Sequence, residues 1–269
     1  PSEGRIRTER LYNALSTGRW LPMALLTIGI LAFACSLWGK GKVNRWVHLA
    51  ASVVLAGATL YLVTVFVLRW IAGGHIPLAG GFDSMNFLSI ALGVIGLTAA
   101  RKQSPLALLS VAFCQLVAMM SGANPPVTNL MPVLNSPLLT LHVAVIMIAY
   151  ALFLFVALNS LAALVQPSYR AEACRRTLLM LYPAEALLAV GIMIGAVWAN
   201  ISWGTYWSWD PKEVWALITL IVYFYPLATS HDKARNSALF HVYCLVALLS
   251  VVITYFGVNL LLGGMHAYN

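Results

Sequence analysis

Four of the nine tryptophans fall within thirteen residues, in the run Trp203-Gly204-Thr205-Tyr206-Trp207-Ser208-Trp209-Asp210-Pro211-Lys212-Glu213-Val214-Trp215. Indole faces at that density suit a flat, apolar, conjugated ligand that stacks on the rings and is held at its edge by polar groups. An aromatic belt at a membrane surface uses the same residue types. A belt, however, is shared among spans, and these residues are concentrated in one loop. Lys212 is the cation within that loop and Arg69 the nearest in an earlier one, and either could neutralise ligand carboxylates. His142 precedes the loop in sequence and His266 follows it, and imidazole is the usual axial ligand of heme iron. An aromatic shelf, cations for two carboxylates and two flanking imidazoles together describe a heme site. Asp210, Pro211 and Glu213 also have a local role, because Asp at N-cap, Pro at N1 and Glu at N3 form a capping box that opens a helix and fixes the loop. His75, in Gly74-His75-Ile76-Pro77, is either a hydrogen-bonding element of its turn or a supporting group.

The elements that must carry these residues follow from composition. The chain has 269 residues, 61% hydrophobic and 9% charged, where soluble domains carry about 25% charged residues. Twenty-four charged side chains cannot cover a globule of this length, so a bilayer must supply the apolar solvent. Disorder, nucleic-acid binding and a disulfide scaffold are excluded, the last because four cysteines without a CxxC form no framework. Apolar runs predict an all-α, polytopic integral membrane protein of about eight transmembrane helices, near 20–38, 46–71, 84–100, 104–121, 138–165, 177–201, 213–229 and 238–262. The first run lacks a small-residue cleavage site and is not read as a signal peptide. Three segments are expected: a basic tail over 1–19, four spans with the Gly-His-x-Pro loop over 20–137, and a core over 138–269.

Basic residues sort by loop. Ten of them, Lys40, Lys42, Arg45, Arg101, Lys102, Arg170, Arg175, Arg176, Lys233 and Arg235, fall in alternate loops and set those inside. The intervening loops and the C-terminus then face outward, the tryptophan-rich loop among them. The same count places the tail outside despite Arg5, Arg7, Arg10 and Arg19, against the charge rule. Glu185 falls inside the sixth span and is expected to be shallow, paired with Arg175 or Arg176, or protonated. His48 and His241 read as packed or interfacial imidazoles and the four cysteines as packing residues.

The segment Trp203 to Glu213 resembles the tryptophan-rich WWD signature of heme-handling proteins, and in particular of the CcsA (ResC) family of cytochrome c biogenesis. Gly74-His75-Ile76-Pro77 with Phe82-Asp83-Ser84-Met85, Leu141-His142-Val143, His231, and the ending Gly257-Val258-Asn259 to Gly264-Met265-His266 occur in the family's order from about residue 69 onward. The resemblance implies that His142 and His266 ligate heme b on the outer side, over Trp203, Tyr206, Trp207, Trp209, Asp210 and Trp215. It implies that His231 receives heme near the cytoplasmic face, its counterpart ligand coming from a ResB (CcsB) partner or the ResB half of a fused chain. The implied function is heme transport across an inner (plasma) or thylakoid membrane and presentation to an apocytochrome c CxxCH segment, within a holocytochrome c synthase complex. A CcmC-like protein loading heme onto a carrier, a b-type cytochrome subunit and a purely structural assembly factor are the alternatives. Two departures stand out: His266-Ala267-Tyr268 replaces the family's His-Ser-Tyr, and the basic loop after His231 is shortened to Asp232-Lys233-Ala234-Arg235.

Overall fold

A chain without enough charge to cover a globule must satisfy its backbone within each segment, and helices do this in hydrocarbon. The computed structural model describes residues 3–16, 20–38, 42–98, 103–120, 125–127, 132–228 and 237–262, and among them every regular element is helical. Among the described residues, a helix lies in each of the eight segments expected from the sequence. Five are long and apolar enough to cross a membrane: Lys42–Gly73, Gly81–Thr98, Pro137–Val165, Pro167–Trp203 and Ala238–Val258. A sixth is added if Glu3–Leu15 and Trp20–Ser36, bent by 46°, count as one span. The protein is a multi-pass, all-helical membrane protein. It divides into two units, Pro1–Asn135 and Ser136–Asn269.

The first unit contains α1 (Glu3–Leu15), α2 (Trp20–Trp38), α3 (Lys42–Gly73), α4 (Gly81–Thr98) and α5 (Ser104–Met120). α1 lies where the sequence suggested only a basic tail. Its one buried residue is Tyr12, and it is tied to α3 by the Tyr61 hydroxyl, which donates to the Leu15 carbonyl at 2.7 Å. α3 buries Ala51, Leu55, Ala58 and Leu62 on one stripe and exposes Trp46, Val53 and Leu60 on the other. Apolar surface facing outward is what a lipid-solvated helix requires. Gly74, at φ +71, ends α3 with its N–H donating to the Trp70 carbonyl at 2.8 Å. This is the left-handed stop that glycine adopts without steric cost.

Arg69 is buried near that end. Its Nε donates to Asp83 Oδ1 at 2.6 Å, and Nη1 donates to the Tyr12 hydroxyl at 3.0 Å and to the Pro125 carbonyl at 2.9 Å. The guanidinium also lies over the rings of Tyr12 and Phe82. One cation thereby joins α1, α3, α4 and the segment after α5.

The second unit contains α6 (Pro137–Val165), a single 3-10 turn (Pro167–Tyr169), α7 (Arg170–Trp203), α8 (Pro211–Ala228), and α9 (Ala238–Val252), which runs on as a wider π-helical segment over Ile253–Leu262. At 1.5 Å per residue, α6 extends roughly 44 Å, more than the hydrocarbon thickness, so its ends reach the interfaces or it tilts. α6 and α7 form an antiparallel hairpin closed by Asn159, whose Nδ2 donates to the Ala173 carbonyl at 2.7 Å and to Thr177 Oγ1 at 2.9 Å. Tyr169 donates to the same amide's oxygen at 2.9 Å. Phe153 of α6 stacks on Tyr223 of α8 with centroids 3.9 Å apart.

Of the alternatives expected for Glu185, the structure excludes pairing with Arg175 or Arg176. Arg175 and Arg176 both pair with Glu172, about one turn away on the same helix, and the Glu185 carboxyl is buried with no hydrogen-bond partner among the described residues. His241 is fully buried, its Nδ1 3.3 Å from Ser160 Oγ. All four cysteines are unbridged, three buried and Cys35 exposed.

Removing one member of a buried ion pair strands the other, at a cost of about 3–5 kcal/mol. Asp83→Ala should therefore lower the denaturation midpoint of the detergent-solubilised protein sharply, and Arg69→Leu combined with Asp83→Leu should regain most of the loss. Wild-type melting of the Asp83→Ala variant would show that the pair does not hold the first unit together.

Candidate functional site

The tryptophan-rich loop is built from both of its ends. α7 stops where Gly204, at φ +80, donates its N–H to the Asn200 carbonyl at 2.9 Å, a left-handed glycine stop like that of α3. α8 starts with the predicted capping box. Asp210, buried, accepts from the Lys212 N–H at 3.1 Å. Glu213 reaches back to accept from the Asp210 N–H at 3.2 Å and the Ser208 N–H at 2.8 Å. Between these anchors Trp209 takes φ +59, unique among the described non-glycine residues. That conformation costs on the order of 1 kcal/mol or more for a bulky side chain. Glu213 bonds the backbone on both sides of Trp209, which holds the strained residue in place.

The aromatic side chains split into two pairs. Trp207 and Trp209 meet edge to face at 5.9 Å, and Trp198 and Trp203 do so at 6.2 Å, a favoured arrangement for ring quadrupoles. Trp198 is buried, whereas Trp203, Tyr206 and Trp209 are exposed, Trp209 at 73%. Trp215 lies one turn into α8, where its carbonyl accepts from Thr219 Oγ1 at 2.8 Å and Thr254 Oγ1 at 3.2 Å. The second of these bonds ties α8 to the π-helical segment that leads toward residue 266.

A cleft of about 110 Å³ opens beneath the loop. Its walls include His142, Ile146 and Tyr150 from α6, Gly195 from α7, Tyr206 and Trp207 from the loop, and Lys212 and Glu213 from α8. Thr254 also contributes. The cavity is well below the ~300–1,000 Å³ of sites that engulf a ligand. A large planar ligand would put one edge in the cleft and leave the rest against the exposed indoles.

His142 supplies the cleft's imidazole. Its Nδ1 lies 2.7 Å from the Gly191 carbonyl oxygen. A carbonyl can only accept, so Nδ1 carries a proton, and in the neutral ring Nε2 then carries the lone pair that an iron would take. Lys212 supplies the positive charge. Burial pushes its pKa down from the ordinary lysine value, against the opposing pull of the Asp210 carboxylate.

The structure thus gathers His142, Tyr206, Trp207, Lys212 and Glu213 on one cleft, with Trp203, Trp209, Asp210 and Trp215 in the adjoining loop and first helical turn. His231 and His266 lie outside the described residues. Arg69 and His75 belong to the first unit, where Arg69 is held by Asp83 and His75 Nδ1 sits 3.3 Å from the Ile76 carbonyl. Sequence reasoning did not single out Tyr150, Thr254, Gly191 or Gly195. The last two had a readable signal, the small-xxx-small spacing that lets membrane helices approach closely.

Comparison with known proteins identifies the family. Residues 78–266 match the cytochrome C assembly protein family. Protein NrfI of Wolinella succinogenes is 33% identical over 293 aligned residues, covering all of this chain but 32% of that protein, so the chain spans about a third of that relative's length. The cytochrome c biogenesis protein CcsA of Prochlorococcus marinus is 30% identical over 91% of this chain and 93% of its own. CcsA of a Synechococcus species is 31% identical, with coverage of 92% and 95%. With its helical hairpins, its capped tryptophan-rich loop and a match over residues 78–266, the chain belongs to the cytochrome C assembly protein family.

Proposed function

We propose that this protein moves heme b across its membrane and presents it on the outer side to the CxxCH segment of an apocytochrome c, as one subunit or half of a synthase completed by a ResB (CcsB)-type partner. The observation that carries the reading is His142. An imidazole with its tautomer set by a backbone carbonyl stands in a cleft beside indoles and a half-buried lysine. The residues present fit an iron porphyrin in kind: a nitrogen lone pair for the metal, rings for the macrocycle, and Lys212 for a propionate.

In this reading the eight helical segments span the bilayer, residues 138–269 form the heme-handling core, and the loop and C-terminus face the periplasm or lumen. His266 is the second outer ligand and His231 the site of heme uptake from the cytoplasmic side. Trp203, Tyr206, Trp207, Trp209 and Trp215 carry the macrocycle, with Asp210 and Glu213 holding the loop. His75 supports its own turn. Arg69 already has Asp83 as its counter-ion, so the propionate role passes to Lys212.

Ligation is an addition. Each cysteine thiol adds across a heme vinyl group, sulfur bonding to one carbon and hydrogen to the other, with no leaving group and no net redox change. The protein contributes orientation, which converts an encounter of two molecules into a reaction between positioned groups. The thiols belong to the apocytochrome.

Co-expression with a ResB-type partner and a CxxCH reporter tests the proposal. His142→Ala and His266→Ala should each lose bound heme and reduce covalent heme on the reporter by roughly tenfold or more, the size seen when a metal ligand's support is removed. Full heme and full ligation in both variants would overturn the outer site. His231→Ala should leave the outer site unfilled even when heme is abundant, and normal filling would remove His231 from the uptake route.

Lys212 makes a separate prediction. A charged lysine attracts a propionate and a neutral one does not, so affinity must fall as pH rises through its pKa. Because burial lowers that pKa, the fall should begin below the 10.5 of an ordinary lysine. Titrating zinc protoporphyrin against pH should show this limb, and both its dimethyl ester and the Lys212→Met variant should lack it. An ester that shows the same limb would exclude Lys212 as the propionate contact.

A further inference from the structure

A helix carbonyl has a second lone pair that a neighbouring side chain can use, provided that nothing on the residue one turn ahead stands in the donor's path. Gly191 has glycine at that following position. The helix bond to the carbonyl of Gly191 comes from Gly195, and a Cβ built on Gly195 would lie 2.6 Å from His142 Cε1 and 2.7 Å from Nδ1. Real Cβ atoms do not come this close, and the obstructing atoms are a ring rather than the tip of a flexible chain. One turn deeper the same pattern repeats more softly, where a Cβ on Gly191 would lie 2.5 Å from Ile146 Cδ1. His142 and Ile146 are four apart on α6, Gly191 and Gly195 four apart on α7, and the two strips face each other.

We infer that Gly195 is a positioning residue for His142: by having no side chain it opens the Gly191 carbonyl to the imidazole, and this fixes both the ring's seat and the tautomer that offers Nε2. The Gly191-x3-Gly195 pair then does more than bring two helices together. It lends a backbone carbonyl of a membrane helix to a side chain of its neighbour. An imidazole that donates from Nδ1 to a strong acceptor is a more basic ligand through Nε2 and is fixed in rotation, as second partners of metal-bound histidines generally arrange. Because the acceptor is main chain, no side-chain replacement at residue 191 removes it, and residue 195 controls access to it. The functional part of the inference rests on the heme reading above, while the tautomer does not.

The full-length protein in detergent, labelled with 15N-histidine, reports the tautomer without heme. The ring nitrogens of His142 should show a protonated Nδ1 and an unprotonated Nε2 above pH 7, and Gly195→Ala should shift them toward the mixed pattern of an unconstrained imidazole. A wild-type His142 with the opposite or a mixed tautomer overturns the inference and needs no variant to fold. Heme titration then tests the consequence. Gly195→Ala should weaken binding roughly tenfold or more and lose the low-spin spectrum, and added imidazole should restore that spectrum as it does for His142→Gly. Ile146→Ala should rescue Gly191→Ala, whose clash is with a side-chain tip, and should not rescue Gly195→Ala. Wild-type affinity and spectrum in Gly195→Ala, or restoration of His142→Gly but not of Gly195→Ala by imidazole, would make residue 195 a packing position only. If His142→Gly itself binds heme like the wild type, the proposed function fails while the tautomer measurement still decides the role of Gly195.

Discussion

In hydrocarbon a helix must keep its carbonyls bonded to its own N–H groups, because no water is present to replace a lost partner. The second unit is organised around an addition to that rule rather than a breach of it. A carbonyl oxygen has two lone pairs. At Gly191 the one its own helix leaves over receives His142 at 2.7 Å. Accepting this bond requires α6 and α7 to lie close, which requires glycine at 191 and 195. The same closeness brings α6 side chains against the start of the tryptophan-rich loop. The cleft is therefore a consequence of how two membrane helices pack.

The loop above the cleft is fixed by a different set of hydrogen bonds. Its aromatic side chains are largely exposed, so burial contributes little to ordering them. Order comes from the termini, with Gly204 closing α7 and the Asp210–Glu213 box opening α8. Those bonds hold Trp209 at φ +59, a conformation a bulky residue avoids unless its surroundings impose it. A loop whose hydrogen bonds hold a strained backbone at an exposed tryptophan has a shape set by its own ends. A rigid shelf beside a small cavity can grip one edge of a macrocycle and leave the other accessible to a second protein, which a closed pocket could not do.

The sequence showed the helices from α2 onward because each contains an apolar run, and it showed the capping box because its chemistry is local, confined to residues 210–213. Contacts between distant segments were not legible. Arg69 reads in sequence as an available cation, yet its counter-ion is fourteen residues on and its other partners are Tyr12 and the Pro125 carbonyl. α1 reads as a basic tail because its packing uses a single buried ring, Tyr12, rather than an apolar stripe. Arg175 and Arg176 were one of the alternatives read for Glu185, and Glu172, closer on the same helix, takes both.

Glycine is the residue whose role sequence patterns convey least. Its effect lies in what other groups may occupy, and that depends on the facing helix. Gly191 and Gly195 can be recognised as a packing motif from their spacing alone. That the facing side chain is His142, and that the exposed group is a carbonyl, emerges only when α6 and α7 are in register. His142 and Gly195 are 53 residues apart in sequence and face each other between α6 and α7. A substitution at 195 would thus resemble a packing defect in sequence and a ligand defect in chemistry, and the response to added imidazole separates the two.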